Sequence, residues 1–255
     1  MRLIRKPDTS IKLYHGDCLE VMKQIPDNSV DMICCDLPYG TTACKWDTII
    51  PFDKLWEHYL RIAKEDAAIV LTASQPFTSA LVMSNPKIFR YEWIWQKAVG
   101  SNFATTKYMP MKEHESVLVF GKKMPKYFPI KQERAPNGKA RLNYGHSGSK
   151  TGEANGTMDF KGFTPDTYDK NLRCPSSVQY FNNRESCRGL HPTQKPVALI
   201  EYLVKTYTQE GDLVLDNCMG SGTTGVACKN LKRKFIGIEL DEKYFNIAKE
   251  RINNA

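Results

Sequence analysis

Apolar and polar positions follow two rhythms along this chain. Short apolar runs bounded by turn residues occur at Ile11 to Tyr14, Val30 to Cys35, Ala67 to Thr72, Tyr91 to Trp95, Ser116 to Phe120, Leu213 to Asp216 and Phe235 to Glu239. Such runs predict strands, and those starting at Val30 and Ala67 read as buried. Between the runs lie segments of helical spacing: Asp17 to Gln24, Phe52 to Lys64, Gln75 to Ser84, Pro196 to Thr208, Thr223 to Leu231 and Asp241 to Ile252. Asp17 is placed to cap the first of these. Phe52, Leu55, Trp56, Tyr59 and Leu60 make one apolar face on the second, and Trp46 and Trp56 read as core residues. Strands alternating with helices predict an α/β fold with a doubly wound, mainly parallel sheet.

The rhythm stops at Gly121. From there to about Leu190, Gly, Pro, Asn, Ser, Lys and Tyr dominate, and a stretch this long without apolar runs is commonly functional or disordered. Residues 1–120 and 191–255 therefore read as one domain, with residues 121–190 inserted. There are no internal repeats.

Charge sharpens this division. Of a formal net charge of +8, residues 121–190 carry +7, and the remaining chain is nearly neutral. A localised basic excess fits a polyanion-binding surface, or else a solvated loop region. The 255 residues can build one sizeable core with room for a subdomain. No apolar stretch reaches the roughly 18 residues of a membrane helix. The first ten residues are charged and lack an apolar signal region, which predicts a cytoplasmic protein with no membrane partner. Eight cysteines show no C-x-x-C pair and the histidines no H-x-x-x-H spacing, so reduced core thiols and no metal are expected.

Two stretches carry candidate chemistry, and each closes a predicted strand. The first is Asp36-Leu37-Pro38-Tyr39-Gly40; the second is Asp216-Asn217-Cys218-Met219-Gly220-Ser221-Gly222-Thr223-Thr224. In an open α/β sheet the carboxyl ends of parallel strands share one edge, where ligands bind. The first stretch offers a carboxylate, a stiff proline turn and an aromatic ring. The second is a glycine turn opening a helix, in which Gly220, Gly222 and Gly225 match the dinucleotide fingerprint. Glu239 follows Gly220 by 19 residues at the end of the next strand, where a carboxylate can take both hydroxyls of a ribose. Asp216 separates two cofactors. A carboxylate entering this turn would repel a pyrophosphate but attract an ammonium group, which favours S-adenosylmethionine over a nicotinamide dinucleotide. Asp17 and Asp216 suit its amino and cationic groups.

These residues resemble the D/N/S-P-P-Y motif and cofactor loop of amino-group DNA methyltransferases. His191-Pro192-Thr193-Gln194-Lys195-Pro196 is similar to the motif preceding the cofactor loop in that family, and Ile238-Glu239-Leu240-Asp241 to its ribose-binding strand end. The order, catalytic loop first and cofactor loop last, resembles the β-class, a circular permutation of the methyltransferase fold. The resemblance covers about residues 11–120 and 190–252. It implies transfer of a methyl group to an exocyclic base amine in DNA, with the aspartate form pointing to adenine N6 and cytosine N4 as the alternative.

The resemblance assigns roles residue by residue. Asp36, Leu37, Pro38 and Tyr39 form the catalytic loop. Acceptors on the amine N–H bonds, the Asp36 carboxylate and the Leu37 carbonyl, would free a delocalised nitrogen lone pair, while Tyr39 offers a stacking face. Asp17 and Cys18 fall near the cofactor adenine, and Gln194 and Lys195 at its methionine carboxylate. Asp216, Asn217, Cys218, Gly220, Gly222, Thr223 and Thr224 surround the methionine part, and Glu239 with Leu240 the ribose. Trp95-Gln96-Lys97 and Ser101-Asn102-Phe103 lie where the family supplies a second wall for an extruded base, with Phe103 the candidate. Leu37 departs from the motif's first proline and implies a less rigid turn. The insert becomes a target-recognition region in which Lys131, Arg134, Lys139 and Arg141 would contact DNA and Tyr127, Tyr144, Tyr168 and Tyr180 are interleaved with basic residues. DNA and S-adenosylmethionine are the expected partners, with a homodimer one allowed assembly. A DNA-binding protein without activity is a reading from a different class, but intact Asp36, Tyr39, Asp216 and Glu239 argue against it.

Overall fold

The computed structural model describes residues 10–41, 47–134, 171–184 and 194–255. Two compact units divide the chain, residues 1–128 with 177–255 and residues 129–176. The first is built on an eight-stranded sheet: β1 (Ile11–His15), β2 (Val30–Asp36), β3 (Ala63–Ala73), β4 (Phe89–Ser101), β5 (Lys112–Phe120), β8 (Val178–Phe181), β9 (Leu213–Asp216) and β10 (Lys234–Glu239). Their spatial order is β1-β10-β9-β2-β3-β5-β4-β8. All run parallel to one another except β5, which pairs antiparallel with both β3 and β4. In the second unit, β6 (Gln132–Glu133) and β7 (Leu172–Arg173) form a short antiparallel ladder.

Among the described residues the α-helices are α1 (Cys18–Met22), α2 (Phe52–Ile62), α3 (Phe77–Ser84), α4 (Val197–Tyr207), α5 (Thr223–Asn230) and α6 (Glu242–Asn253). Alternation along β2 distributes the core. Ile33 and Cys35 face a cluster that includes Met22, Leu55, Tyr59, Ile62 and Leu81 from α1, α2 and α3. Met32 and Cys34 face the opposite cluster, where Leu203, Tyr207, Ala227 and Ile252 come from α4, α5 and α6. Period-two side chains thus put three helices on each face, the doubly wound arrangement that the apolar runs predict. Trp56 is buried, as its place on the apolar face of α2 predicts, and donates its indole N–H to Ser84 Oγ at 2.8 Å. Trp46 lies outside the described residues.

Two elements depart from the sequence pattern. The predicted strand Tyr91 to Trp95 extends over Phe89–Ser101 because it has ladder partners on both sides, β5 and β8. The strand β8 falls within the segment expected as insert, yet it belongs to the main sheet. Residues 121–128 also lie in the sheet unit, so the compact second unit, 129–176, is narrower than 121–190. The physical reason is pairing: four residues of modest hydrophobicity become a strand only when β4 supplies the hydrogen-bond ladder. Among the described residues, no helix is long and apolar enough to cross a membrane.

Candidate active site

The sheet places the two chemistry-bearing stretches side by side. β2 and β9 are parallel neighbours, with Met32 opposite Val214 and Ile33 opposite Leu215, so Asp36 and Asp216 leave the same edge. Asp31 fixes this junction, since its buried carboxylate accepts from Leu213 N at 3.0 Å and pairs with Lys64 at 2.7 Å. A cavity of about 660 Å³ opens at that edge. Asp36 to Tyr39, Asp17, Cys18, Gln194, Lys195, Asp216, Asn217, Cys218, Gly220, Thr223, Thr224, Glu239 and Leu240 all line it. Gly222 sits just behind, at φ +80°, where an added Cβ would stand 2.9 Å from Ala248 Cβ. Only glycine combines that left-handed turn with such close approach of α6.

The wall around Asp36 is a network of charged and hydroxylic side chains. Asp36 Oδ1 accepts from Tyr39 Oη at 2.7 Å and from the Thr72 hydroxyl, and Oδ2 pairs with Lys195 Nζ at 2.7 Å. Lys195 also reaches Glu115 at 3.4 Å, and Glu115 pairs with Lys97. Burial of Lys195 opposes its charge, but Asp36 and Glu115 outweigh that and raise its pKa. Burial works against the Glu115 charge too, and Lys195 with Lys97 overcome it to lower that pKa. The Tyr39 ring stacks on Phe77 with centroids 5.0 Å apart, and the Lys195 ammonium stands 5.8 Å from its centroid. The Asp47 carboxylate pins the far end of the loop, accepting from Gly40 N at 2.8 Å and Thr41 N at 2.9 Å. Leu37, in place of the motif's proline, is 4 % exposed and packs in the core beneath α1, α2 and α3. Burial of this side chain anchors the turn that a second proline ring would otherwise stiffen.

The opposite wall is held by backbone amides and hydroxyls. Asp216 Oδ1 accepts from Cys218 N at 3.1 Å and Oδ2 from Thr224 Oγ1 at 2.6 Å. Burial dominates these bonds and pushes the Asp216 pKa up to about 7. Glu239 accepts from Gly220 N and Asp241 N, both at 2.8 Å, and burial raises its pKa as well. Asn217 Oδ1 accepts from the buried Tyr59 hydroxyl at 2.5 Å. Asp17 caps α1, taking Leu19 N at 2.8 Å and Glu20 N at 3.2 Å, while still lining the cavity.

Two sequence-based expectations change. Lys195 points its ammonium at Asp36 and Glu115 rather than along the cofactor turn; only Gln194 meets that turn, accepting from Ser221 Oγ at 3.0 Å. The reason is electrostatic, since two carboxylates converge where a buried cation is needed. Phe103 does not wall the cavity: it is 81 % exposed on a turn outside it. Lys131 and Arg134 belong to the second compact unit, and Lys139, Arg141, Tyr144, Tyr168 and His191 to Thr193 lie outside the described residues.

Several site residues escape sequence reasoning. Thr72 sits inside a buried apolar run, and Glu115 in a charged segment that resembles any exposed strand end. Asp47 lies in a loop, and Arg251 reaches back from α6 to Ser221 O at 3.0 Å and Thr223 Oγ1 at 3.1 Å. Only Glu115 left a trace, a carboxylate one residue before the apolar run Ser116 to Phe120.

A family model described as DNA methylase matches residues 30–250. The Type II methyltransferase M.HpaI of Haemophilus parainfluenzae is 29% identical over 260 residues, covering 95% of this chain and 74% of that protein. The DNA adenine methyltransferase YhdJ of Escherichia coli (strain K12) is also 29% identical over 260 residues, covering 95% of this chain and 83% of that one. Among solved structures, M1.HpyAVI in complex with SAM superposes with a TM-score of 0.60 at 25% identity, over 95% of this chain and 99% of the other.

Proposed function

The chain belongs to the DNA methylase family, and from that premise we propose that it transfers a methyl group from S-adenosylmethionine to the exocyclic N6 amine of adenine in DNA. The observation that carries this reading is the juxtaposition across β2 and β9: the Asp36 loop faces a turn whose buried carboxylate, Asp216, has no cationic partner among the described residues. The cavity fits the cofactor chemically. Asp216 would offset the positive charge of its methionine end. Glu239 uses two of about four carboxylate lone pairs on backbone amides, leaving the others for hydroxyls. When bound, S-adenosylmethionine supplies an electrophilic methyl group.

The catalytic wall then acts on the amine. Asp36 holds three partners, which leaves about one acceptor position for an incoming N–H. The Leu37 carbonyl can take the second. Both acceptors draw the amine towards a tetrahedral geometry in which the lone pair is free to attack. Lys195 supplies the counter-charge that fixes Asp36 in place, and Tyr39, locked between Phe77 and Asp36, offers its ring to an extruded base. The aspartate form of the motif, and the similarity to an adenine methyltransferase, YhdJ, favour adenine over cytosine N4.

The test is to incubate the protein with labelled S-adenosylmethionine and duplex DNA, then identify the modified nucleoside. N6-methyladenine is expected; N4-methylcytosine would replace the substrate, and no label in DNA would sink the reading. The basic segment 121–190 is proposed as the target-recognition region. Changing Lys131, Arg134, Lys139 and Arg141 to Ser should shallow the salt dependence of DNA binding by about one unit of log–log slope for each phosphate those side chains neutralise. An unchanged slope would make them ordinary solvated charge.

A further inference from the structure

The turn between β4 and β5 presents large apolar side chains to solvent, with nothing among the described residues to cover them. Phe103 is 81 % exposed and Tyr108 is 80 % exposed, and Met109 and Met111 are exposed beside them. The backbone beneath is internally bonded. Thr105 N reaches Asn102 O at 2.9 Å, Tyr108 N reaches Thr105 O at 2.9 Å, and the Thr105 and Thr106 hydroxyls return to Asn102 O and Phe103 O at 2.9 Å each. A self-supporting turn with its aromatics outward is built to meet something.

Its position limits what that can be. β4 runs parallel to β3, so Ser101 ends at the same sheet edge as Asp36 and Asp216, and Ser101 itself lines the cavity. The turn therefore rises beside the cavity mouth. Residues 101–112, the turn and its flanks, include Lys107 and Lys112 and contain no Asp or Glu. A second copy of this chain, itself at +8, is a poor electrostatic match for such a surface, whereas a polyanion is a good one.

We propose that the β4–β5 turn enters duplex DNA beside the target, where Phe103 and Tyr108 occupy the stack vacated by the base that moves into the cavity. This rests on the reading of the site given above and adds a part that the cavity itself does not contain. A base removed from the stack leaves its neighbours unpaired with any π-surface, and an exposed aromatic ring restores that contact. The rings act by holding the extruded state and touch no reacting atom, so they are positioning residues.

The experiment compares the variant Phe103→Ala/Tyr108→Ala with the unchanged protein on two duplexes. One carries the mapped target base opposite its normal partner; the other carries an abasic site opposite it, so that no pair must be broken. The variant should lose about tenfold or more in kcat/KM on the paired duplex and recover to within about threefold of the unchanged protein on the abasic one. Calorimetric titration with S-adenosylmethionine should give an unaltered affinity, which shows that the fold and the cofactor wall survive. Equal losses on both duplexes, or no loss on either, would overturn the proposal while leaving the methyltransferase reading intact. Failure of the unchanged protein to methylate any DNA would instead defeat that reading first and this one with it. Damaged folding in the double variant is met by Phe103→Leu/Tyr108→Leu, which keeps bulk but loses the aromatic face and should show the same selective loss.

Discussion

The two walls of the cavity hold their carboxylates by opposite means. Asp36 sits among side chains and has a cation, Lys195, at 2.7 Å. Asp216 and Glu239 sit among backbone amides and a threonine hydroxyl, and no Lys or Arg pairs with either among the described residues. A half-buried carboxylate with its own buried cation is electrostatically complete and can be used as a fixed acceptor. One without a cation is costly to ionise, which is why Asp216 titrates near 7 rather than at the ordinary 3.8. The difference separates a wall already charge-paired from one that, in the proposed reading, a positively charged ligand would complete.

The hardest test of the finished wall is Lys195→Met. Removing this buried cation strands the half-buried Asp36 without a counter-charge and leaves Glu115 paired to Lys97. Breaking a fully buried pair costs about 3–5 kcal/mol of stability, which is the upper bound here. Urea unfolding at neutral pH reads this directly, and wild-type stability would mean that Lys195 does not neutralise the wall. Next in size, Asp36→Ala should lower turnover by about a hundredfold or more, on the order of 3 kcal/mol, because the transition state is deprived of an acceptor for the amine. Cofactor affinity should stay near normal in that variant, since Asp36 belongs to the other wall. Near-normal turnover would remove Asp36 from the mechanism.

The ligand-completed wall should answer differently. Glu239→Ala is expected to weaken S-adenosylmethionine binding by roughly 1.5–3 kcal/mol for each charged hydrogen bond removed, with far less effect on turnover at saturation. An unchanged dissociation constant in calorimetry would put the ribose elsewhere. The smallest effect is the dependence on pH. Below about 7 the buried Asp216 binds a proton in the empty protein. A cationic ligand needs the ionised form, so affinity should rise up to about tenfold per pH unit towards 7 and then level off. Asp216→Asn should bind more weakly and flatten that rise. Stability carries the opposite sign, because between about 4 and about 7 the folded state binds a proton at Asp216 that the unfolded chain has released. The empty protein should therefore lose stability as pH rises through that window, and the Asn variant should not. A pH-independent affinity in the wild type would erase the contrast between the two walls.

The sequence by itself determined the elements whose signals are local. Apolar runs marked the central strands, spacing marked α2 with its buried Leu55, Trp56 and Tyr59, and the glycine turn after Asp216 was legible because positive φ and close helix approach both demand glycine. Asp36 was legible for the same reason: it stands in a short motif at a strand end. Tertiary structure decided everything that joins distant segments. Whether β9 lies against β2, whether residues 178–181 become a strand, and which carboxylates Lys195 meets, 159 residues from Asp36, depend on pairing across the sheet. Periodicity records which face of an element is buried, while the partner on that face is chosen by packing and charge among residues far apart in the chain. Thr72, Asp47, Glu115 and Arg251 were invisible for that reason, each an ordinary polar residue until the fold set it beside the site.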